Sequence, residues 1–117
     1  MDMDELTLDI PALTEVTGGD TSINKELFDL YYSKFDEQIA QIEAAIKARD
    51  AILLKAVAHS AKGGSASMGL NKMAAIMKVL EFKGRNADFT NAEDVVQAAY
   101  TEQAAIKMLV ATERLVG

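Results

Sequence analysis

Phe28, Tyr31, Phe35, Ile39, Ile42 and Ile46 follow one another at intervals of three and four, in a stretch with neither proline nor glycine. At 3.6 residues per turn this spacing puts all six on one side of a helix. That helix is expected to start from a cap at Thr21 or Ser22 and to run to about Ala48, with Lys47 and Arg49 near its negative pole. Asp36, Glu37, Gln41, Glu43 and Lys47 fall mostly off the stripe. A helix with one apolar stripe is not stable alone in water. The chain is therefore committed to further helices that cover it.

The rest of the sequence provides them. Asp9 as a cap and Pro11 in a first turn mark a short helix, ended by Gly18-Gly19-Asp20. Asp50 caps a third helix, whose stripe reads Leu54, Val57, Ala58, Ala61, Ser65 and Met68, and Gly69 stops it. The inward residues are small in the middle, so another helix can approach closely there. A fourth helix covers about Leu70 to Phe82, with Met73, Ile76, Met77 and Leu80 inward, and Gly84-Arg85-Asn86 ends it. Thr90-Asn91-Ala92-Glu93 reads as a capping box for a last helix from about Ala92 to Leu115. Its stripe is Val96, Ala99, Gln103, Ile106 and Val110, with Leu109 beside it. The expected fold is all-α, an antiparallel four-helix bundle with a short extra N-terminal helix. No long Gly/Ser or Pro linker and no internal repeat divides the sequence, so residues 1–117 are expected to form one domain. The methionines read as core fillers apart from Met1 and Met3, and Glu37, Glu43, Glu81 and Glu102 read as solvated.

Composition narrows the function. Twelve Lys and Arg against eighteen Asp and Glu leave a net charge of −6. Nucleic-acid binders need a basic face to displace counterions, so nucleic acid is not an expected partner. A polybasic membrane-surface protein is excluded on the same ground. No apolar run approaches the roughly 20 residues of a membrane span. The acidic start Met1-Asp2-Met3-Asp4-Glu5 does not resemble a secretory signal, so a soluble, cytoplasmic domain is expected; a monomer is the expected state. There is no cysteine and one histidine, which removes disulfides, thiolate nucleophiles and a histidine cluster for zinc.

The stretch that carries chemistry is Ala58-His59-Ser60-Ala61-Lys62-Gly63-Gly64-Ser65-Ala66-Ser67-Met68-Gly69. On a helix, Lys55 and Gly63 lie about 40° to either side of His59, Ala66 about 20° away and Lys62 about 60° away. These five share one face, opposite the apolar stripe, and His59 is expected to project into water. Gly63 and Gly64 inside a helix cost roughly 1 kcal/mol each relative to Ala. A glycine one turn from the histidine removes bulk where another molecule can approach. Two lysines beside the imidazole, in an acidic protein, favour an anion such as a phosphoryl group. Imidazole is the side chain that titrates nearest neutral pH, which leaves much of it uncharged and nucleophilic. The plain alternatives are a surface histidine without chemistry, a glycine pair at a helix crossing, and lysines that only solubilise.

At these residues the sequence resembles the histidine-containing phosphotransfer (HPt) domains of two-component phosphorelays. Their usual motif is Ala-His-x-Leu-Lys-Gly-Ser-Ser-x-x-Leu-Gly-Ala. Ala58, His59, Lys62, Gly63, Ser65 and Gly69 match it, whereas Ala61, Gly64, Met68 and Leu70 depart from it at packing positions. Met73 to Glu81 also looks like the family's next helix, which commonly ends in Leu-Glu. The resemblance spans about residues 8 to 115. It implies that His59 is phosphorylated, that Lys62 holds or neutralises phosphoryl oxygens, and that Gly63 clears room for a partner. Lys55, Gly63 and Ala66 are then candidate docking positions. The implied partners are response-regulator receiver domains and a sensor or hybrid histidine kinase. No cofactor is expected on this chain, Mg²⁺ belonging to the receiver, and the length suits a free-standing relay protein.

The sequence holds no Gly-x-x-x-x-Gly-Lys-Ser/Thr loop and no kinase-like glycine-rich loop, so a phosphoryl carrier is expected rather than an ATP-using enzyme. Two other readings remain beside it. One is a helical interaction module that binds receiver or kinase domains without carrying phosphate. The other is hydrolysis with His59 as a base, against which stands the lack of a nucleophile motif nearby.

Overall fold

The computed structural model describes residues 5–116. These form five helices, α1 (Ile10–Thr17), α2 (Thr21–Ala48), α3 (Ala51–Ser67), α4 (Asn71–Arg85) and α5 (Ala92–Thr112). The last four make an antiparallel bundle and α1 is the short extra helix. At 1.5 Å per residue the 28 residues of α2 span about 42 Å, which equals the 42 Å long axis of the molecule. The other helices pack along that rod.

The expected stripes form the core. Phe28, Phe35, Ile39, Ile42 and Ile46 of α2 are buried with Leu54, Ala58 and Ala61 of α3, Met73, Ile76, Met77 and Leu80 of α4, and Val96, Ala99, Ile106 and Val110 of α5. Tyr31 is half-buried, because its hydroxyl leaves the apolar layer to meet Ser65 Oγ at 2.9 Å. Burial pushes that phenol up to about 12. Met73 and Met77 are core fillers as expected, but Met108 is 72% exposed. Met1 and Met3 lie outside the described residues.

Helix ends follow local chemistry, with four departures from expectation. Asp20, not Thr21 or Ser22, caps α2: its Oδ1 accepts from the backbone N–H of Ser22 at 2.9 Å and of Ile23 at 3.2 Å. The capping box at Thr90 does not form. Thr90 N–H instead donates to Asp88 Oδ1 at 3.0 Å, and Asn91 takes the cap position with φ 57° and no side-chain cap bond. The guanidinium of Arg49 lies 5.6 Å from the centre of the Phe89 ring, which ties this loop to the end of α2. The last helix ends at Thr112 rather than near Leu115.

The fourth departure sets up the site. Helix α4 does not stop at Gly84 but runs through it to Arg85. A Cβ on Gly84 would stand 2.5 Å from the backbone nitrogen of Lys55 and 3.0 Å from the carbonyl oxygen of Ala51. Glycine here lets the backbones of α3 and α4 nearly touch, so the last turn of α4 lies against the first turns of α3. At the other end of the same seam, Gly69 turns the chain with φ 75°. The N-terminal strap closes over that turn through Asp9 N–H to Gly69 O and Lys72 N–H to Leu6 O, both at 2.8 Å.

Candidate functional site

Helix α3 turns Leu54, Ala58, Ala61 and Ser65 inward, and its opposite face therefore carries His59 outward. The His59 side chain is 68% exposed. Lys55, Gly63 and Ala66 are exposed on the same face, as expected, and Lys62 is half-buried at its edge. A groove of about 750 Å³ between α3 and α4 gathers Lys62, Gly63 and Ala66 with Lys78 and Phe82 of α4. Lys55 lies outside that groove, with its backbone at the Gly84 contact. On the other flank Gln38 Nε2 donates to Ser60 Oγ at 3.3 Å and ties α2 to α3.

Gly63 and Gly64 have no role in packing within the chain. A Cβ at either would meet nothing within 4 Å. The helix-crossing explanation applies to Gly84 and not to this pair.

The sequence reading missed Glu81. Expected to be solvated, its side chain is only 6% exposed, and it gathers three basic groups around one carboxylate. His59 Nδ1 lies 2.6 Å from Glu81 Oε2, and Lys62 Nζ lies 2.6 Å from Oε1. Arg85 Nη2 is 4.0 Å from Oε2. The Lys62 hydrogen bond, and then that of His59, hold the Glu81 carboxyl below its ordinary range, against burial that pushes the other way. Held ionised, Glu81 can only accept, so the hydrogen of a neutral imidazole sits on Nδ1 and the lone pair on Nε2. Nε2 is then the nitrogen with the free lone pair, on a side chain that is mostly exposed.

A signal for Glu81 is present in the sequence. It stands four residues after Met77 and three before Gly84, in register with the inner stripe of α4. A charged residue in register with a buried stripe needs a partner. Glu102 carries the same signal, three residues after Ala99 and four before Ile106, and it too is buried rather than solvated. Glu37 and Glu43 are exposed, as expected. Among the described residues no group of three or more His, Asp or Glu is placed to hold a metal ion, and no helix is long and apolar enough to cross a membrane.

A helical bundle with one accessible imidazole, its ring fixed from behind and a cleared surface beside it, defines a class of phosphoryl-carrying domains. The sequence profile described as Hpt domain matches residues 26–112. The crystal structure of histidine-containing phosphotransfer protein B (HptB) from Pseudomonas aeruginosa PAO1 superposes with a TM-score of 0.83 at 30% identity, covering 92% of this chain and 94% of that one. Comparison with curated protein sequences gave no match. The chain belongs to the HPt family and is a histidine phosphotransfer protein of phosphorelays. Members of that family are phosphocarriers, not kinases, and interact with receiver domains and kinases.

Proposed function

We propose that His59 accepts a phosphoryl group from a phospho-aspartyl receiver domain or hybrid kinase and passes it to a response-regulator receiver domain. The observation that carries this reading is the His59 side chain, mostly open to solvent and bound at Nδ1 to a buried, ionised Glu81. In the forward step the Nε2 lone pair attacks phosphorus, a P–N bond forms, and the bond from phosphorus to the aspartyl oxygen breaks. The aspartate leaves as a carboxylate and needs no proton. The ring becomes cationic, and Glu81 stabilises that charge through the Nδ1 hydrogen. Phosphoryl transfer demands alignment and charge neutralisation more than covalent machinery, and a rigid helix that presents a fixed tautomer meets the first demand. Lys62, held beside the ring by Glu81, neutralises phosphoryl oxygens. The receiver supplies Mg²⁺.

Gly63, Ala66 and Lys55 form the part of the docking surface nearest the ring. The missing side chain at Gly63 lets the partner's active-site loops come close to Nε2. In this reading the chain is a single cytoplasmic domain over residues 1–117 that acts as a monomer, and its contacts with each partner are small enough to release.

Incubation with a phosphorylated receiver domain tests the proposal. The wild type takes up acid-labile, alkali-stable label and His59→Gln takes up none; equal labelling of the two refutes it. Gly63→Trp retains the fold and loses transfer; unchanged transfer removes the clearance argument.

A further inference from the structure

Charge is unevenly shared along this chain. Residues 51–85, which hold α3 and α4, carry six of the twelve Lys and Arg but one of the eighteen Asp and Glu. That one is Glu81, which is buried, so these two helices show no acidic side chain at the surface. Their shared groove is also apolar. Ala74, Ala75, Val79 and Phe82 make a second stripe on α4, beside the inner stripe of Met73, Ile76, Met77 and Leu80. With Gly63 and Ala66 of α3 they line the groove of about 750 Å³, and Phe82 is 60% exposed. From Asn71 to Phe82 the groove follows three turns of α4, about 16 Å at 1.5 Å per residue. Its walls are short side chains, and a Cβ at Gly63 would meet nothing within 4 Å, so a further backbone has room to come close.

We propose that the α3–α4 groove binds an acidic amphipathic helix of a partner protein, whether or not His59 carries a phosphoryl group. An apolar edge of that helix, with anchors three and four residues apart, packs on Val79 and Phe82 over the alanines. Acidic side chains beside the anchors meet Lys78, which is exposed in the groove and has no ion pair among the described residues. The groove's other lysines are engaged within the chain, Lys62 by Glu81 and Lys83 by Asp88 and the Thr90 carbonyl. Glu5 and Asp88 are the acidic residues of the lining, and Asp88 is held by Lys83 and the Thr90 N–H. Around the groove the basic surface of α3 and α4 steers an acidic segment toward it and away from the rest of an acidic protein. An anionic membrane has the matching charge, but it is flat, whereas the apolar side chains here line a recess that accepts a ridge.

The probe is a designed peptide of about 18 residues, long enough to hold a helix, with Leu at i, i+3, i+4 and i+7 and Glu beside them. A second peptide with Lys for Glu is the charge control, and phosphatidylglycerol vesicles are the lipid control. Each is titrated into the full chain and followed by fluorescence anisotropy and ¹⁵N chemical shifts. The Glu peptide is expected to bind saturably, with shifts centred on Val79 and Phe82, and about tenfold more tightly than the Lys peptide. Phe82→Ala should weaken it about tenfold and Lys78→Glu about fivefold. Both residues are exposed, and thermal unfolding checks that the variants fold. His59→Gln should bind the peptide as wild type does, which keeps the result apart from the acceptor reading; lost binding there overturns the stated independence. Equal affinity for the two peptides, shifts confined to α1 and α2 around Leu30, or no saturation up to about 1 mM overturns the proposal. So does binding to vesicles without binding to the Glu peptide.

Discussion

Glu81 and Glu102 are equally buried, each 4% exposed, and their surroundings push them in opposite directions. Glu81 sits in the α3–α4 seam, where Lys62 and His59 bond to it and hold its carboxyl below the ordinary range. Glu102 sits on α5 under the N-terminal strap. Among the described residues its Oε2 has no hydrogen-bond partner, and burial pushes its carboxyl up, against a bond from Thr7 and the more distant charge of Lys72. Gln103 beside it has no partner for either side-chain polar atom among the described residues. Burial alone therefore does not make a site. The same residue type, at the same depth, is an anchor for an exposed imidazole where basic groups converge and an internal liability where they do not.

The seam depends on the close approach of α3 and α4 at Gly84, and Gly84→Ala breaks it at the source. The new methyl group would meet α3 backbone rather than a side chain that can turn away. A loss of about 3 kcal/mol in denaturant unfolding is expected, at the upper end for overpacking. The shift of α4 should also loosen Glu81 from His59 and Lys62, read as a change in the His59 ring resonances, while signals around Glu102 stay in place. Wild-type stability in this variant would mean that α4 is free to slide and that the seam does not fix the site.

Removing the charge at each glutamate should give opposite signs. Glu81→Gln leaves Lys62 and His59 without their anion and is expected to cost about 2 kcal/mol at pH 7. Glu102→Gln relieves a poorly satisfied buried carboxylate and is expected to stabilise by about 1 kcal/mol. Two losses of similar size would erase the contrast between the regions.

The pH dependence sharpens the same point. The folded-state carboxyl of Glu81 lies below its ordinary value of 4.5, so its contribution is present above that value and is lost as pH falls through the folded-state value. The gap between wild type and Glu81→Gln should therefore close in acid. Glu102 is displaced upward from 4.5, so its ionisation opposes folding at neutral pH. Its penalty, and the gap to Glu102→Gln, should fade as pH drops through the raised value. Unfolding curves of the three proteins between pH 3 and 7 check both.

The smallest expected effect is at Gly64, where an added methyl group meets nothing within 4 Å. Gly64→Ala should gain close to 1 kcal/mol from helix propensity alone. A loss would mean that the helix needs that glycine for a reason internal to the fold, unlike anything its surroundings show.

Much of this protein was legible in the order of its residues. The 3.6-residue stripes placed four helices and nearly all of the core, since a one-faced helix can bury its apolar side only against others, and the Asp9 cap, Pro11 and Gly18 marked the short fifth. The outward position of His59 followed from the same periodicity, because Ala58 and Ala61 face in. Caps were less legible: Asp20 displaced Thr21 and Ser22, and Asp88 captured Thr90, because neighbouring polar side chains compete for the same few backbone groups.

What the sequence could not decide is which element would meet His59 from behind. Residues 59 and 81 are 22 positions apart, and helix periodicity fixes only the face each occupies on its own helix. Gly84 let α4 come near enough to α3 for Glu81 to reach both His59 and Lys62. Glu102 reads much like Glu81 along the chain, yet among the described residues it meets only a bond from Thr7 and the more distant charge of Lys72. Periodicity is a local property of the backbone, whereas a pairing depends on the distance between two helices, and that distance is set only once they pack.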